Sequence, residues 1–349
     1  AFHITDGSRN VIRAYNTVNG AGDDAFAVVG YVAKGTYPIG IQDIGNRVYG
    51  VRKGRGFAYV GFKDVVNIGC YVDGRIPSSI PQKSDVGGGR YNTACALYVA
   101  AESSFNSFGG ESLRVQGFTG EHLASGIDGA GSATSTLQAI HIVSSNGASN
   151  PIKNVQIQAT LRGIGNRGLF CVGNGYLQDV EADITVEDST DPLGLLSLTS
   201  TPGLGNQNAA EFQNTRNVKL KLRANMIGKG AVYIDANCSG AYELDVSVGS
   251  VAMTTAGQSP IQIASASKID VADIKLNFEV TPPASGLGSI NRIIDNGTNQ
   301  GIIRSLTVTG VDHATAAANV LSGWPTRAVT LGTSPSQVVN YTGRPMLFY

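Results

Sequence analysis

A short phrase that recurs along the whole chain constrains the fold more than any other feature. It consists of Asn, Asp or Lys followed by alternating apolar residues, usually Val-x-Ile or Val-x-Leu. The copies and their variants begin at Asn10, Asn46, Asp64, Asn154, Tyr176, Asn217, Tyr242, Lys268 and Ile303. The better-behaved spacings are roughly 25–38 residues, with one longer gap near residues 75–110. This irregular repetition is typical of a solenoid whose core turns of about 20–30 residues carry loops inserted at their corners.

The alternation within each phrase is that of a β-strand. In segments 218–222 and 244–248 every second residue is apolar, which places one strand face in a core and the other in solvent. Gly and Asn, which adopt positive φ with little strain, stand where strand-like runs end, as at Gly20 and Gly50. Glycine accounts for 45 of 349 residues and charged residues for only 15%. Such a composition disfavours helices, so we predict an all-β protein.

Among all-β architectures the repeat favours a parallel β-helix, or β-solenoid. Its unit contains two or three strands rather than four, and no blade-like aromatic signature recurs. We predict the β-helix over residues 1–311 and a small C-terminal β segment or connector over 312–349. Two Ala-rich stretches, 92–102 and 314–321, have helical potential and are interpreted as excursions from this framework.

The cysteines and the charge balance exclude several function classes. Cys70, Cys95, Cys171 and Cys238 form no CxxC pair, so we expect buried apolar residues, with disulfides as the alternative. Lys and Arg total 26 and so do Asp and Glu, which argues against nucleic acid as a partner. No run of about 18 apolar residues is present, and no membrane insertion is predicted.

The N-terminal part resembles the pectate-lyase-like superfamily, and within it the polygalacturonase-type hydrolases. Gly22-Asp23-Asp24 matches the family's GDD motif ahead of a hydrophobic strand, and Gly54-Arg55-Gly56 takes the place of its later GHG motif, with Arg for His. The family's Asn-Thr-Asp motif would fall at or before Ala1, and its Arg-x-Lys motif has no clear counterpart. The resemblance implies a right-handed parallel β-helix that acts on polysaccharide.

Segment 328–345 looks like the region near the end of many phage tail spikes and tail fibres. In those proteins a small β module follows a right-handed β-helix, and the spikes are usually homotrimers. This resemblance implies a virion or extracellular location, other phage tail proteins as partners, and a bacterial surface polysaccharide as ligand. Because Ala1-Phe2-His3-Ile4 already reads as a strand, we expect a fragment cut at both ends that lacks a virion-anchoring part.

The acidic residues Asp6, Asp23 and Asp24 are the candidate catalytic groups. Glycoside hydrolysis requires two carboxyl groups, one acting as the acid and the other as base or nucleophile. Consecutive strand residues face opposite ways, so Asp23 and Asp24 share a groove only if the backbone bulges near Gly20-Ala21-Gly22. Asp6 precedes Asp23 by close to one solenoid turn and is expected to stack beside the pair. Alternatively, Gly-Asp-Asp is an ordinary turn.

Basic residues and a histidine are the candidate substrate-binding groups. Arg52, Lys53 and Arg55 form a basic cluster that would suit acidic sugars, or that is simply a solvated corner. His122, with Glu121 and Asp128, lies in a Gly/Ser-rich stretch and is a candidate acid or base, with an ordinary polar loop as the alternative. No metal and no cofactor are predicted.

An acidic run is interpreted as the solvated outer face of a strand, or alternatively as a carboxylate groove. It comprises Asp179, Glu181, Asp183, Glu187, Asp188 and Asp191.

Three functional hypotheses follow. The first is a phage tailspike depolymerase that hydrolyses capsule, O-antigen or exopolysaccharide with inversion, with Asp23 or Asp24 as acid, Asp6 or the other Asp as base, and Arg55 binding substrate. The second is a non-catalytic receptor-binding or structural tail appendage. The third is a secreted pectinase-like glycoside hydrolase.

Overall fold

The computed structural model describes residues 1–51, 54–74, 93, 95–123, 138–164, 167–187, 208–225, 230–249, 259–264, 267–279, 294–295, 303–310 and 336–340. These residues form an all-β structure. Its strands are β1 (Phe2–Thr5), β2 (Ile12–Ala14), β3 (Thr17–Ala21), β4 (Phe26–Val29), β5 (Ile39–Ile44), β6 (Arg47–Val51), β7 (Arg55–Val60), β8 (Phe62–Ile68), β9 (Tyr71–Asp73), β10 (Cys95–Ala101), β11 (Gly110–Leu123), β12 (Ile140–Ser144), β13 (Ile152–Ile164), β14 (Leu169–Glu187), β15 (Asn208–Asn225), β16 (Gly230–Ile234), β17 (Ser239–Val248), β18 (Ile261–Ile263), β19 (Lys268–Phe278), β20 (Ile294–Asp295), β21 (Ile303–Thr309) and β22 (Ser336–Asn340).

Helical structure among the described residues is limited to one 3₁₀ turn, Val32–Lys34. The Ala-rich segment 92–102, which has helical potential in the sequence, contains the fully buried strand β10 instead. Small apolar residues suit a parallel strand that is covered on both faces, and this burial overrides the helical preference. The other Ala-rich segment, 314–321, lies outside the described residues. No helix in the described part of the chain is long and apolar enough to cross a bilayer.

The strands pair in parallel stacks. The first stack is β1, β4, β7, β10, β12, the start of β14, the start of β15, β16, β18 and β20. The second is β2, β5, β8, β11, β13, β14, β15, β17, β19 and β21. The third, β3, β6 and β9, continues in the C-terminal part of β11.

Each pass of the chain through these stacks is called a layer here. The layers form a large parallel sheet that is compatible with the predicted β-helix. At its far end β22 pairs antiparallel with β21.

The recurring sequence phrase marks one corner of successive layers. The residues at this corner all have positive φ and form what we call the left-handed row: Asn10, Gly40, Asp64, Ser112, Asn154, Asp179, Asn217 and Gly240. They stack because the strand residues around them are in register from layer to layer. The prediction that Gly and Asn supply positive φ at the corners is therefore confirmed, and Asp and Ser also occupy this row.

The core is a set of columns that run through the layers. In one column the buried rings of Phe26 and Phe57 stack with centroids 4.9 Å apart, and the exposed ring of Phe2 stacks on Phe26 at 5.1 Å. Near the start of β10, a strand of the first stack, two consecutive residues point inward. They are Ala96 and Leu97, and both are completely buried. Their amides both donate to the carbonyl of Ala139, at 2.9 and 3.2 Å, which is the pattern of a β-bulge.

This bulge changes which side chains reach the outer face. In the layer of β7 the inward residues are Gly56 and Phe57. Arg55, the residue before them, therefore packs on the outer side, over the ring of Tyr98. The bulge thus helps to position the candidate site described below.

The acidic run lies on the outer face of β14, as predicted, with basic partners from neighbouring layers. Lys219 is 3.8 Å from Glu181, and Lys221 is 3.2 Å from Asp183. Opposite charges on facing strands help to specify the register, because a slip of one residue would remove both pairs. Asp188 and Asp191 lie outside the described residues.

All four cysteines are free and buried, which confirms the expectation that they are apolar core residues. Their burial raises the pKa of several thiols, that of Cys70 to about 12.

Candidate functional site

The Gly-Asp-Asp turn and the Gly-Arg-Gly turn lie in adjacent layers and meet. Asp24 lies just before β4, and Arg55 begins β7. The backbone amide of Arg55 donates to Asp24 Oδ1 at 2.8 Å, and Arg55 Nη1 lies 3.3 Å from Asp24 Oδ2. The two side chains are partly shielded from solvent, with exposed fractions of 15% for Asp24 and 29% for Arg55. The structure thus brings together one predicted catalytic residue and one predicted substrate-binding residue.

Two residues that the sequence did not single out complete this arrangement. Arg55 Nη2 lies 3.5 Å from Glu102 Oε1. The Tyr98 hydroxyl donates to the same oxygen at 2.5 Å. The guanidinium carbon of Arg55 is 4.1 Å from the centroid of the Tyr98 ring, a cation–π contact. We call Asp24, Arg55, Tyr98 and Glu102 the Arg55 cluster.

Glu102 was missed because it lies 47 residues from Arg55 in the chain. The one available signal was a carboxylate placed directly after the fully apolar strand β10.

A cavity of about 230 Å³ opens beside the cluster. Asp23, Asp24, Arg55 and Glu102 supply its charged lining, together with His3 and the exposed ring of Phe105. Ligand pockets for drug-sized molecules are about 300–1,000 Å³, so this cavity suits one sugar-sized group rather than a long ligand.

The environment shifts the proton affinity of the cluster. Burial raises the pKa of Asp24, an effect that the nearby positive charge of Arg55 partly opposes. Burial also raises the pKa of Tyr98, and its hydrogen bond to Glu102 acts in the same direction. Asp24 therefore holds its proton to higher pH than an ordinary aspartate, which is a requirement for a general acid.

Asp6 does not stack beside Asp23, so that expectation is wrong. The register pairs Phe2 with Phe26, which makes this layer longer than the spacing between the two aspartates. Asp6 consequently follows β1, whereas Asp23 precedes β4, at the opposite end of the paired strands. Its Oδ1 accepts a hydrogen bond from the Tyr31 amide at 2.6 Å. This contact ties down the chain after β4.

The remaining residues of the predicted site differ in their placement. Asp23 is exposed, and its Oδ1 accepts a hydrogen bond from the Asp24 amide at 2.9 Å, a contact expected of a turn. Arg52 and Lys53 lie outside the described residues, as does Asp128.

His122 belongs to a different cluster, at the end of β11. Its Nδ1 lies 3.3 Å from Asp73 Oδ1. The neighbouring Glu121 accepts hydrogen bonds from the Tyr71 hydroxyl at 2.9 Å and from Arg162 Nη1 at 3.0 Å. None of these residues lines the Arg55 cavity. The structure therefore separates His122 from Arg55, the other predicted substrate-binding residue among those that it describes.

An aromatic row extends the Arg55 cluster along the outer face of the first stack. The ring centroid of His141 is 5.5 Å from that of Tyr98 and 5.3 Å from that of Phe170. Arg167 packs over the ring of Phe170, with 4.4 Å from the guanidinium carbon to the ring centroid. Burial lowers the pKa of His141 to about 4, and the positive charges of Arg55 and Arg167 add to this effect.

The chemistry that these residues support is acid–base catalysis by carboxyl groups, with an arginine that orients them. Within the described ranges, no group of three or more His, Cys, Asp or Glu side chains is placed to hold a metal ion.

Comparison of the chain with protein-family models, with curated proteins and with solved structures found no match.

Proposed function

We propose that this chain is the right-handed parallel β-helix of a homotrimeric phage tailspike that binds and hydrolyses a bacterial surface polysaccharide. The stacked parallel strands, the Gly-Asp-Asp motif and the tail-spike-like segment 328–345 support this proposal. One observation carries the catalytic part. Asp24, whose pKa is raised by burial, and Glu102 contact opposite nitrogen atoms of the Arg55 guanidinium beside a sugar-sized cavity.

In the proposed reaction, protonated Asp24 donates its proton to the glycosidic oxygen as the bond from that oxygen to the anomeric carbon breaks. Glu102 accepts a proton from a water molecule whose oxygen bonds to the anomeric carbon from the opposite face. Placement on the two sides of one guanidinium favours the wider carboxyl separation of about 6.5–9.5 Å that inversion requires. Arg55 and Tyr98 orient the carboxyl groups. Glu102 thus takes the role first considered for Asp6 or Asp23.

The test is hydrolysis of purified capsular and O-antigen polysaccharides, followed by size-exclusion chromatography and assay of new reducing ends. Asp24→Asn and Glu102→Gln should each lower the rate about 10²–10⁴-fold, the usual contribution of an acid or base. Asp183→Asn, at an exposed ion pair on β14, is the matched control and should cleave normally. Normal cleavage by both site variants would contradict the proposed roles.

A second candidate function is binding without cleavage. It is favoured by the observation that Arg55 already forms ion pairs with both carboxylates, as in a structural network. In that case the polysaccharide would keep its size after incubation with the wild-type protein. Asp24→Asn would then lower stability without changing any product.

Native mass spectrometry bears on the tailspike assignment independently of catalysis. A homotrimer is expected, and a strictly monomeric protein would contradict this part of the proposal.

A further inference from the structure

A second concave surface, larger than the Arg55 cavity, lies away from it. It is a groove of about 880 Å³ over the second stack, and it shares no lining residue with that cavity. Its lining extends from Asp64 on β8 to Arg304 on β21. β8 belongs to the first and β21 to the last of eight successive layers. At about 4.8 Å between strands, the groove is roughly 34 Å long.

The left-handed row contributes polar side chains to this groove. Asp64, Ser112, Asn154, Asp179 and Asn217 all line it, one from each of five consecutive layers. A layer repeat therefore presents a carboxylate, hydroxyl or amide about every 4.8 Å along the groove. Asn217 Nδ2 donates to Asp179 Oδ1 at 2.9 Å. Among the described residues, the side chains of Asp64 and Asn154 form no hydrogen bond.

A second row, which we call the wall row, contains side chains of both charges. It consists of Arg114, Gln156, Glu181, Lys219, Glu243 and Asp273, which are in register across six strands. The central members contact each other: Gln156 Nε2 donates to Glu181 at 3.3 Å, and Lys219 is 3.8 Å from Glu181. Arg114 and Glu243 are exposed and have no ion pair among the described residues.

The charges of the lining restrict the class of ligand. Five acidic residues (Asp64, Asp179, Glu181, Glu243, Asp273) and three basic ones (Arg114, Lys219, Arg304) line the groove. This acidic excess would repel a polyanion such as nucleic acid or a polyuronate. A docked amphipathic helix needs a continuous apolar stripe, whereas twelve of the twenty residues that line this groove are polar or charged. A linear polymer rich in hydroxyl groups and without negative charge fits both restrictions.

We infer that this groove binds a linear, uncharged polysaccharide that lies across the layers, separately from the Arg55 cavity. The repeated polar groups match a ligand that is itself a repeat of hydroxyl-bearing units. The inference takes its ligand class from the proposed function, and it adds a second binding surface that lengthens the contact with a long chain. Binding strength should therefore increase with chain length, because longer chains engage more layers.

The test uses two variants on one strand. Gln156 and Gln158 are both exposed on β13 and face the same way, but only Gln156 lines the groove. Gln156→Trp places a large ring in the middle of the groove, and Gln158→Trp is the matched control. The probes are size-fractionated dextran, mannan and neutral O-antigen and capsular polysaccharides, with heparin as the polyanion. Circular dichroism and thermal unfolding confirm that both variants fold.

We expect at least one neutral polysaccharide to bind, with affinity that rises with chain length and exceeds that of heparin. Gln156→Trp should weaken this binding at least tenfold, and Gln158→Trp should change it less than twofold. Binding of no neutral polysaccharide, strongest binding of heparin, or equal affinities of the two variants would overturn the inference.

Cleavage assays separate this inference from the proposed hydrolysis. If Gln156→Trp binds normally while Asp24→Asn loses cleavage, the groove assignment is wrong and the hydrolysis stands. If Gln156→Trp loses binding but the wild-type protein shortens no polysaccharide, the groove stands and the hydrolysis is wrong.

Discussion

Arg13 and Asp43 form a two-pronged ion pair inside the first two layers. Arg13 Nε lies 2.7 Å from Asp43 Oδ1, and Nη2 lies 2.7 Å from Oδ2. Their side chains are 5% and 0% exposed. Asp43 also accepts hydrogen bonds from Tyr59 and Asn46, and Arg13 donates to the Phe2 carbonyl. The pair therefore connects the first layer to the second through the interior, where an unpaired charge would be strongly unfavourable.

Removal of one partner of the Arg13–Asp43 ion pair should lower the free energy of unfolding strongly. Asp43→Ala leaves the Arg13 guanidinium buried without its counter-ion, so we expect the free energy of unfolding to fall by about 3–5 kcal/mol. Asp183→Ala, which breaks an exposed pair, should change it by less than about 1 kcal/mol. Urea unfolding followed by circular dichroism measures both. The double variant Arg13→Met/Asp43→Ala should lose less than the sum of the single variants, and additivity would show that the pair is not coupled.

His141 should make the protein less stable in acid. Its pKa in the folded state is about 4, below the ordinary value of 6.5, so the folded state favours the neutral ring. The stability that the neutral ring of His141 contributes is fully present above pH 6.5. It is lost as the pH falls from 6.5 toward 4, and the total loss is on the order of 3 kcal/mol. His141→Phe keeps an aromatic ring in the row and should flatten this dependence. Melting temperatures at pH 7.5, 5.5 and 4.5 provide the comparison, and identical slopes would refute the prediction.

Arg55 should set the upper pH limit of cleavage. The positive charge of Arg55 lowers the pKa of Asp24 against the larger effect of burial. Arg55→Gln removes that charge, so the pKa of Asp24 should rise further and the acid should stay protonated to higher pH. The basic limb of the kcat/KM profile should then move upward, whereas Arg55→Lys should move it less. A downward shift in Arg55→Gln would exclude Asp24 as the general acid.

Gly240 tests the packing of the left-handed row. Its φ is +79°, and a Cβ there would lie 2.1 Å from Asn217 Oδ1, an atom held by the Ala241 amide at 3.1 Å. Gly35 has a similar φ of +72° but open space around it. Gly35→Ala should thus cost about 1–2 kcal/mol from backbone strain alone, and Gly240→Ala more.

The Gly240 prediction has an internal check. Asn217→Ala removes the atom that would clash, so it should recover part of the stability lost in Gly240→Ala. Thermal unfolding of the double variant measures this recovery. If Gly240→Ala and Gly35→Ala lose the same stability, the Asn217 side chain moves aside at no energetic cost, and the prediction is wrong.

The cysteines should be unreactive in the native protein. All four are free and buried, and burial raises the pKa of Cys70 to about 12, which leaves little reactive thiolate near neutral pH. Ellman's reagent at pH 8 should therefore label no thiol in the native state and four in denaturant. Rapid labelling of Cys70 in the native state would contradict its burial.

Part of the candidate site could be predicted from the sequence. The Gly-Asp-Asp and Gly-Arg-Gly turns drew attention to Asp24 and Arg55, which the structure places in contact. Glu102 and Tyr98 could not be found in this way, because β10, which contains Tyr98 and ends directly before Glu102, is separated from Arg55 by a stretch of chain whose length the repeat does not predict. Asp6 was misplaced for the same reason: the length of a layer is not visible in a chain whose loops vary.

The sequence by itself determined the strand character of the chain and one of its corners. Alternating apolar residues require a face to bury, and at the left-handed row the residue before each run of alternating apolar residues takes positive φ, from Asn10 to Gly240. Only the tertiary structure decided which layers align. Because closure entropy increases slowly with loop length, insertions of different size are tolerated and local sequence does not define the register. Packing of each layer's core residues on the next one sets that register, and with it the contact of Asp24, Arg55 and Glu102.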